Sequence, residues 1–298
     1  MPPHMLYRSL DAVTLLPPQA DRSTIVTDAA ALSGAIRRHV IVRSKAAGVG
    51  HIGSALSIVD ILAVLYAGYL RAVSPVDPDR DRFVLSKGHA ALALYAALYE
   101  RGWISTADLE SYCTDGTRLG VHPERGVPGI DFSTGSLGHG LSFAAGAALA
   151  ARLQRSGRRA IALVSDAECN EGSLWEAVMF AAHHRLDNLI ALVDANGQQA
   201  LGHTEHVLNL EPLERRWAAF GWDTRVVDGH DVEALTDALA RCDETRLPHV
   251  VIARTTFGKG VSFMEGDFNW HAKVPTDEHL AQAVAELDVV VSAERGDV

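Results

Sequence analysis

The chain has 298 residues, of which 48% are hydrophobic, so it is long enough for one large globular core or two modest ones. Its formal net charge is −10 and no run of lysine or arginine stands out, which argues against nucleic acid and anionic membranes as partners. No apolar run of about 18 residues is free of charges, and no basic segment precedes an apolar run at the N-terminus. Neither a membrane span nor a secretion signal is therefore predicted.

Three cysteines lie far apart in the sequence, at Cys113, Cys169 and Cys242. Their spacing matches neither the paired pattern of a zinc site nor a disulfide framework. Free thiols are typical of a reducing compartment, so we expect a cytoplasmic protein.

The N-terminal 25 residues (1–25) are expected to form an arm, because Pro17 and Pro18 interrupt any long helix there. Residues 26–298 are expected to form one domain, since no repeat, linker or low-complexity tract divides them. In its first half, apolar residues three and four apart predict helices at 27–47, 57–70 and 91–101, with a short strand at 83–86.

The second half of the sequence alternates between apolar, β-branched runs and helical patterns. Strands are predicted at 159–166, 189–194, 223–227 and 249–254, and helices at 139–154, 172–184, 211–220 and 232–242. Continuous apolar strands are typical of a parallel sheet that is covered on both faces. We therefore predict an α/β fold with a doubly wound, mainly parallel sheet flanked by helices.

Two polar residues lie at the ends of successive predicted strands. Asp166 ends one strand and Asn196 follows the next, and both would lie at the ligand-binding edge of a doubly wound sheet. The Asp166 carboxylate, the Asn196 side-chain oxygen and the backbone carbonyl of Gln198 would give Mg²⁺ three oxygen ligands, leaving positions for phosphate oxygens and water. Taken singly, an Asp or Asn there is more often a turn residue or a helix cap. The order of the two residues and the acidic loop after Asp166 favour a metal site.

These residues resemble the thiamine diphosphate motif, in which GDG is followed about thirty residues later by Asn. From about residue 30 to 280 the chain is similar to the N-terminal, thiamine diphosphate-binding half of transketolase. Five further blocks carry the resemblance in the same order, at 50–53 (GHIG), 81–89 (DRFVLSKGH), 122–124 (HPE), 134–140 (TGSLGHG) and 270–271 (WH).

Four histidines in predicted loops match these blocks. The resemblance implies that His89 and His271 hydrogen-bond the diphosphate or a developing oxyanion. It also implies that His51 and His122 contact the hydroxyls of the donor sugar and move protons. Imidazole suits either task, because it titrates near neutral pH and can donate or accept a hydrogen bond. A lone loop histidine is more often a surface residue, so these roles depend on the resemblance.

The remaining site residues follow from the same resemblance. Glycine-rich turns before a helix present backbone N–H groups to a ligand, and the family uses Gly135, Ser136 and Leu137 to contact the cofactor rings. Ala167 and Glu168 complete the cofactor-binding set. Glu171, which we group with the catalytic residues, matches a glutamate that hydrogen-bonds across the dimer of the family.

The sequence departs from the family pattern at several of these positions. Ser165 and Ala167 replace the glycines of GDG, His139 replaces the usual Gln, and Ala272 stands where Gly is common. Ala167 keeps its backbone N–H, so diphosphate binding should survive if its φ angle is negative.

In transketolases the glutamate that activates the aminopyrimidine N1′ lies in the second, pyrimidine-binding domain, and this sequence ends where that domain would begin. The resemblance therefore implies the N-terminal subunit of a split transketolase. With thiamine diphosphate and Mg²⁺ it would transfer a two-carbon ketol unit from a ketose (phosphate) donor to an aldose. A separate C-terminal subunit would supply the glutamate, and two copies of each would form an α₂β₂ assembly.

Several alternatives stay open. The substituted positions are compatible with a thiamine-dependent acyloin- or ketol-forming subunit that uses a non-standard substrate in specialised metabolism. They also fit a non-catalytic cofactor-binding subunit. Deoxyxylulose-phosphate synthase has similar motifs but decarboxylates pyruvate. A nicotinamide-binding sheet is disfavoured, because no predicted strand is followed by GxGxxG.

Overall fold

The computed structural model describes residues 20–295, so residues 1–19 of the predicted arm lie outside the described residues. The first helix, α1, covers Arg22–Ala47 and thus begins inside the range assigned to the arm. The Asp21 side chain accepts the Thr24 N–H at its start, and Gly48 ends it with φ of 66°. None of the helices between residues 20 and 295 has the length and apolar character that a membrane crossing requires.

The central sheet has five strands that all pair in parallel, in the order β1-β2-β3-β7-β6. A two-residue antiparallel pair, β4 with β5, follows β3. The strands are β1 Arg82–Leu85, β2 Ala160–Ser165, β3 Leu189–Ala195, β4 Gln198–Gln199, β5 Gly202–His203, β6 Asp223–Asp228 and β7 His249–Arg254. The predicted α/β fold with a parallel sheet is confirmed.

Helices cover both faces of this sheet. They are α1, α2 Ile52–Ser57, α3 Val59–Val64, α4 Ala91–Glu100, α5 Thr106–Glu110, α6 Gly140–Leu153, α7 Gly172–His183, α8 Thr204–Leu208, α9 Leu213–Ala219, α10 Val232–Ala240 and α11 Asp277–Arg295. Alternate residues of β2 point to opposite faces. Ile161 and Leu163 join one hydrophobic cluster with α1, α3 and α4, whereas Ala162 and Val164 join the other with α6 and α7. Burial on both faces explains the uninterrupted apolar runs of the strands.

The helix predicted at 57–70 differs from the structure. Here α2 already begins at Ile52, α3 follows, and a π-helical turn at Leu65–Tyr69 ends the segment, with Gly68 at φ of 151°. Every residue from Ile52 to Leu70 is buried, so no polar face marked the break between the two helices in the sequence. The helix predicted at 211–220 begins at Leu213, directly after Pro212.

Candidate active site

The carboxyl ends of β2 and β3 bring the first predicted site residues together. Ser165 pairs with Asp194 in the sheet, and the Asp166 N–H donates to the Asp194 carbonyl at 3.1 Å. The Asp166 carboxylate accepts the Gly197 N–H at 2.7 Å, which places it directly beside the turn that contains Asn196. Asp166 and the 196–198 turn therefore lie together at one edge of the sheet.

Two amide side chains complete this edge. Asn196 accepts the Gln198 N–H at 2.9 Å and donates to the Asp194 carboxylate at 2.8 Å. Gln198 donates to the Gly266 carbonyl, while its side-chain oxygen is buried and has no hydrogen-bond partner within residues 20–295. The same residues contain no group of three or more His, Cys, Asp or Glu side chains that could hold a metal. A cation here would need amide, backbone and phosphate oxygens, which suit Mg²⁺.

The Asp166 carboxyl is in an unfavourable place for an unpaired negative charge. Burial and the nearby Asp194 carboxylate raise its pKa to about 7, although the N–H groups of Gly197 and Ala167 and the Lys87 charge act in the opposite direction. A bound cation would stabilise the ionised form at this position.

A fully buried ion pair supports this edge from inside the domain. The Lys87 ammonium lies 2.5 Å from the Asp194 carboxylate, and neither side chain is exposed. Asp194 also accepts the Ser57 hydroxyl at 2.8 Å and the Thr255 hydroxyl. Neither Lys87 nor Asp194 was assigned a role from the sequence. The available signal was a lysine at the end of an apolar strand, directly before a Gly-His pair.

Glu168 is buried and holds the glycine-rich loop against the sheet. Its carboxylate accepts the Ser86 hydroxyl, the Gly138 N–H at 2.8 Å and the Ser165 N–H at 3.2 Å. Burial raises the pKa of this carboxyl, and these hydrogen bonds oppose the increase. Glu168, predicted to bind cofactor, thus connects the ends of β1 and β2 to the loop that opens α6.

The glycine-rich loop packs so closely that side chains would not fit. A Cβ on Gly135, which has φ of 147°, would lie 2.8 Å from the ring of His122, and one on Gly88 would lie 2.8 Å from the Gly135 nitrogen. Ser136 is exposed and Leu137 is half-buried. Three of the sequence blocks, at 81–89, 122–124 and 134–140, therefore meet at this loop.

Three of the predicted histidines form a cluster. The ring centroids of His51 and His271 are 5.0 Å apart, those of His51 and His89 are 5.3 Å apart, and those of His89 and His271 are 6.0 Å apart. The His51 N–H donates to the His271 carbonyl, and His89 shares a hydrogen bond of 2.9 Å with Ser54. His51 has φ of 61°, a left-handed conformation that is costly for a residue with a side chain. Its Nδ1 is buried and has no partner within the described residues.

These imidazoles are neutral at neutral pH. Burial and then the nearby Lys87 charge lower the pKa of His89 to about 2 and also lower that of His271. Burial, followed by the charges of His271 and His122, lowers the pKa of His51. Neutral rings can both donate and accept, so the cluster is suited to binding hydroxyl or phosphate groups and to moving protons.

Acid should destabilise the ligand-free chain through these histidines. Below the ordinary histidine pKa of 6.5, the unfolded chain gains protons that the folded chain does not, so the free energy of unfolding falls as the pH falls. Each neutral histidine contributes up to about 1.4 kcal/mol for each pH unit. Urea unfolding between about pH 5 and 7.5 should give a shallower slope for His89→Gln than for the wild type. An unchanged slope would contradict the assignment.

Three further predicted positions lie next to the loop and the Asp166 edge. Ala167 is in the 3₁₀ helix Ala167–Asn170 and is not among the described residues with positive φ, so its Cβ is tolerated. Its N–H donates to the Asp166 carboxylate at 2.8 Å. Glu171 is exposed at the start of α7, and a Cβ on Gly138 would lie 2.6 Å from its own Cβ. His139 is exposed at the start of α6.

Comparison with known proteins identifies the family. Residues 29–289 match the family model described as "Transketolase, thiamine diphosphate binding domain". A subunit of the apulose-4-phosphate transketolase of Phocaeicola vulgatus is 42% identical over 251 residues, which cover 83% of this chain and 88% of that protein. The 6-deoxy-6-sulfo-D-fructose transketolase subunit SqwG of Clostridium sp. is 41% identical over 257 residues, which cover 85% of this chain and 94% of that protein.

A solved structure extends the similarity to the fold. The transketolase of Campylobacter jejuni superimposes with a TM-score of 0.80 at 29% identity, over 89% of this chain and 43% of that longer chain. The chain thus spans less than half the length of this solved transketolase and most of the length of the two relatives above. It belongs to the transketolase family and corresponds to the N-terminal, thiamine diphosphate-binding half of the single-chain members.

Proposed function

We propose that the chain is the N-terminal subunit of a split transketolase. With thiamine diphosphate and Mg²⁺ it transfers a two-carbon ketol unit from a ketose or ketose phosphate to an aldose. The observation that carries this proposal is its match to proteins named as transketolase subunits, of which it covers 88% and 94%, compared with 43% of a solved single-chain transketolase.

The described residues fit the diphosphate and its cation. Gly88 and Gly135 leave a cradle that a Cβ would fill, and the unpartnered Gln198 oxygen and the Asp166 carboxyl lie at the adjoining edge. Asp166, Asn196 and the Gln198 carbonyl would hold Mg²⁺. The diphosphate and the cofactor rings would contact His89, His271, Gly135, Ser136, Leu137, Ala167 and Glu168. When bound, thiamine diphosphate supplies the electron sink for breaking and forming a carbon–carbon bond beside a carbonyl.

The histidines perform the proton and binding work. His51 has a buried Nδ1 without a partner among the described residues, so it is available to a donor-sugar hydroxyl. His122, held against Gly135, borders the same space from the other side. Because burial keeps His51 and His271 neutral, each ring can give one hydrogen bond and accept another as charge develops on the sugar oxygen.

We infer that the C-terminal subunit binds to the exposed face of α6 and α7. These two helices pack against each other and both begin at the site. They expose Phe143, Met179 and Phe180 to 37%, 50% and 40%, which is typical of a face that another protein covers. The partner would supply the glutamate for the aminopyrimidine N1′ beside Glu171, in an α₂β₂ assembly.

Charging this face should prevent assembly. Phe143→Glu places a carboxylate at the centre of the inferred contact, so we expect at least roughly tenfold weaker binding of the C-terminal subunit encoded beside this chain. Leu153→Glu makes the same change at the far end of α6, where the side chain is 77% exposed, and serves as the control. Sedimentation of the mixed subunits measures both, and co-sedimentation of Phe143→Glu at the wild-type affinity argues against this face.

Substrate preference distinguishes the proposal from its alternatives. The reconstituted pair is given xylulose 5-phosphate, an unphosphorylated ketose and pyruvate with Mg²⁺, thiamine diphosphate and an aldose. We expect two-carbon transfer from a ketose and none from pyruvate. The names of the two relatives, on apulose 4-phosphate and on a sulfonated deoxyfructose, favour including branched and sulfonated ketoses as a second panel. A pair that binds no thiamine diphosphate in the presence of Mg²⁺ would be a non-catalytic assembly.

A further inference from the structure

A buried charged cluster lies behind the site, on the opposite side of α2 and the loop that follows β7. Asp60 of α3 accepts a hydrogen bond from Arg37 of α1 at 2.5 Å and shares one of 2.7 Å with Nδ1 of His230, which follows β6. Side-chain exposure is 12% for Arg37, 7% for Asp60 and 13% for His230. None of these three residues was assigned a role from the sequence.

Both ring nitrogens of His230 are occupied. The Thr256 N–H donates to Nε2 at 2.7 Å, and because an amide N–H can only donate, Nε2 must be the unprotonated nitrogen. Nδ1 therefore carries the hydrogen and donates it to Asp60. Burial alone would raise the pKa of Asp60, but the hydrogen bond from His230 and the charge of Arg37 lower it to about 2, so Asp60 is a carboxylate. The arrangement fixes the ring in one tautomer and one orientation.

The amide that His230 holds lies between two residues that reach the site. Thr255 donates its hydroxyl to Asp194, on the Asp166 edge. Phe257 lies so close to Gly53 that a Cβ there would be 2.1 Å from the ring, and it stacks on His271 with centroids 6.4 Å apart. The same turn is held again at Lys259, whose carbonyl accepts from Arg37 at 3.3 Å.

We propose that His230 is a positioning residue for the active site: oriented by Asp60, it fixes the Thr256 amide and thereby sets both Thr255 against Asp194 and Phe257 against His271. It touches neither cofactor nor substrate in this arrangement and acts through the loop. The inference rests on the proposed function for its effect on cofactor binding, but the contact itself is a property of this chain alone.

Two substitutions separate the two hydrogen bonds of the ring. In His230→Gln the side-chain amide oxygen reaches the place of Nε2 and can accept the Thr256 N–H. In His230→Asn the shorter amide reaches only the place of Nδ1 and leaves that N–H without an acceptor. We expect His230→Asn to weaken Mg²⁺-dependent binding of thiamine diphosphate by the reconstituted pair roughly tenfold or more, and His230→Gln to recover most of it.

A second readout uses the chain without cofactor. Hydrogen exchange at the 255–258 segment should be roughly tenfold faster in His230→Asn than in the wild type and close to wild type in His230→Gln, as expected when an outer partner orients a functional group. His39→Asn is the control, because His39 also pairs with a carboxylate, Glu100, at 2.7 Å and with 12% exposure, but lies away from the loop. Equal exchange in the Asn and Gln variants, or an equal effect of His39→Asn, overturns the proposal.

The wild-type chain provides a test that needs no variant to fold. The ¹⁵N chemical shifts of the His230 ring should report an unprotonated Nε2 and a protonated Nδ1, and the reverse tautomer overturns the proposal. If the wild-type pair binds no thiamine diphosphate, the proposed function fails, while the exchange rates and ring shifts still decide the positioning role.

Discussion

Asp166→Asn should reduce Mg²⁺-dependent binding of thiamine diphosphate by the reconstituted pair about 100-fold or more, since even an outer-shell change costs roughly 10- to 100-fold. The asparagine keeps an oxygen for the Gly197 and Ala167 N–H groups, which Asp166 accepts at 2.7 and 2.8 Å. The turn should therefore keep its shape while the site loses the negative charge that Mg²⁺ requires. Isothermal titration with and without Mg²⁺ measures the loss.

The control for this change is Asp187→Asn. Asp187 is a partly exposed aspartate that pairs with the exposed Arg246 at 3.3 Å, away from the site, so its replacement should leave cofactor affinity unchanged. Because burial and Asp194 raise the pKa of Asp166, Asp166→Asn should also leave the ligand-free chain folded. Retention of wild-type affinity in Asp166→Asn would place the metal elsewhere.

Lys87→Met should lower the free energy of unfolding by about 3–5 kcal/mol, the range seen when one partner of a buried ion pair is removed. Methionine has nearly the length of the lysine side chain, so packing changes little. The loss arises because the fully buried Asp194 carboxylate, 2.5 Å from the ammonium, keeps its charge without a counter-charge. Urea unfolding of the ligand-free chain measures it.

The double variant Lys87→Met/Asp194→Asn tests the cause of that loss. Removing the charge of Asp194 as well should restore at least about half of the lost stability, since replacing both partners of a buried pair is far less costly than replacing one. Lys45→Met is the matched surface control, because Lys45 pairs with the exposed Asp277 at 3.0 Å and should change stability by less than about 1 kcal/mol. If Lys87→Met costs no more than Lys45→Met, the buried pair does not hold the site together.

Much of the sheet and one edge of the site could be predicted because their signals are local. The apolar runs of β2, β3 and β7 are long and continuous, and Asp166 and Asn196 follow strands that pair directly. The break between α2 and α3 could not be predicted, because a segment buried on all sides has no periodicity to interrupt.

The supporting network was missed for a different reason. Lys87 and Asp194 are 107 positions apart, and Asp60 and His230 are 170 apart, so only the folded topology brings each pair together. A lysine after a strand or a histidine in a Gly-His-Asp turn is usually a surface residue. Glu168 illustrates the remaining gap: its acidic loop was recognised, but its burial under Gly138 follows from the docking of that loop on Ser86.

The central claim, that this chain is one half of a split transketolase, is tested most directly by comparing turnover of the chain alone with turnover of the reconstituted pair. Both are supplied with Mg²⁺, thiamine diphosphate, an aldose and the best ketose donor from the panel. The account predicts two-carbon transfer only when the C-terminal subunit is present. Transfer by the chain alone at the full rate of the pair would contradict it.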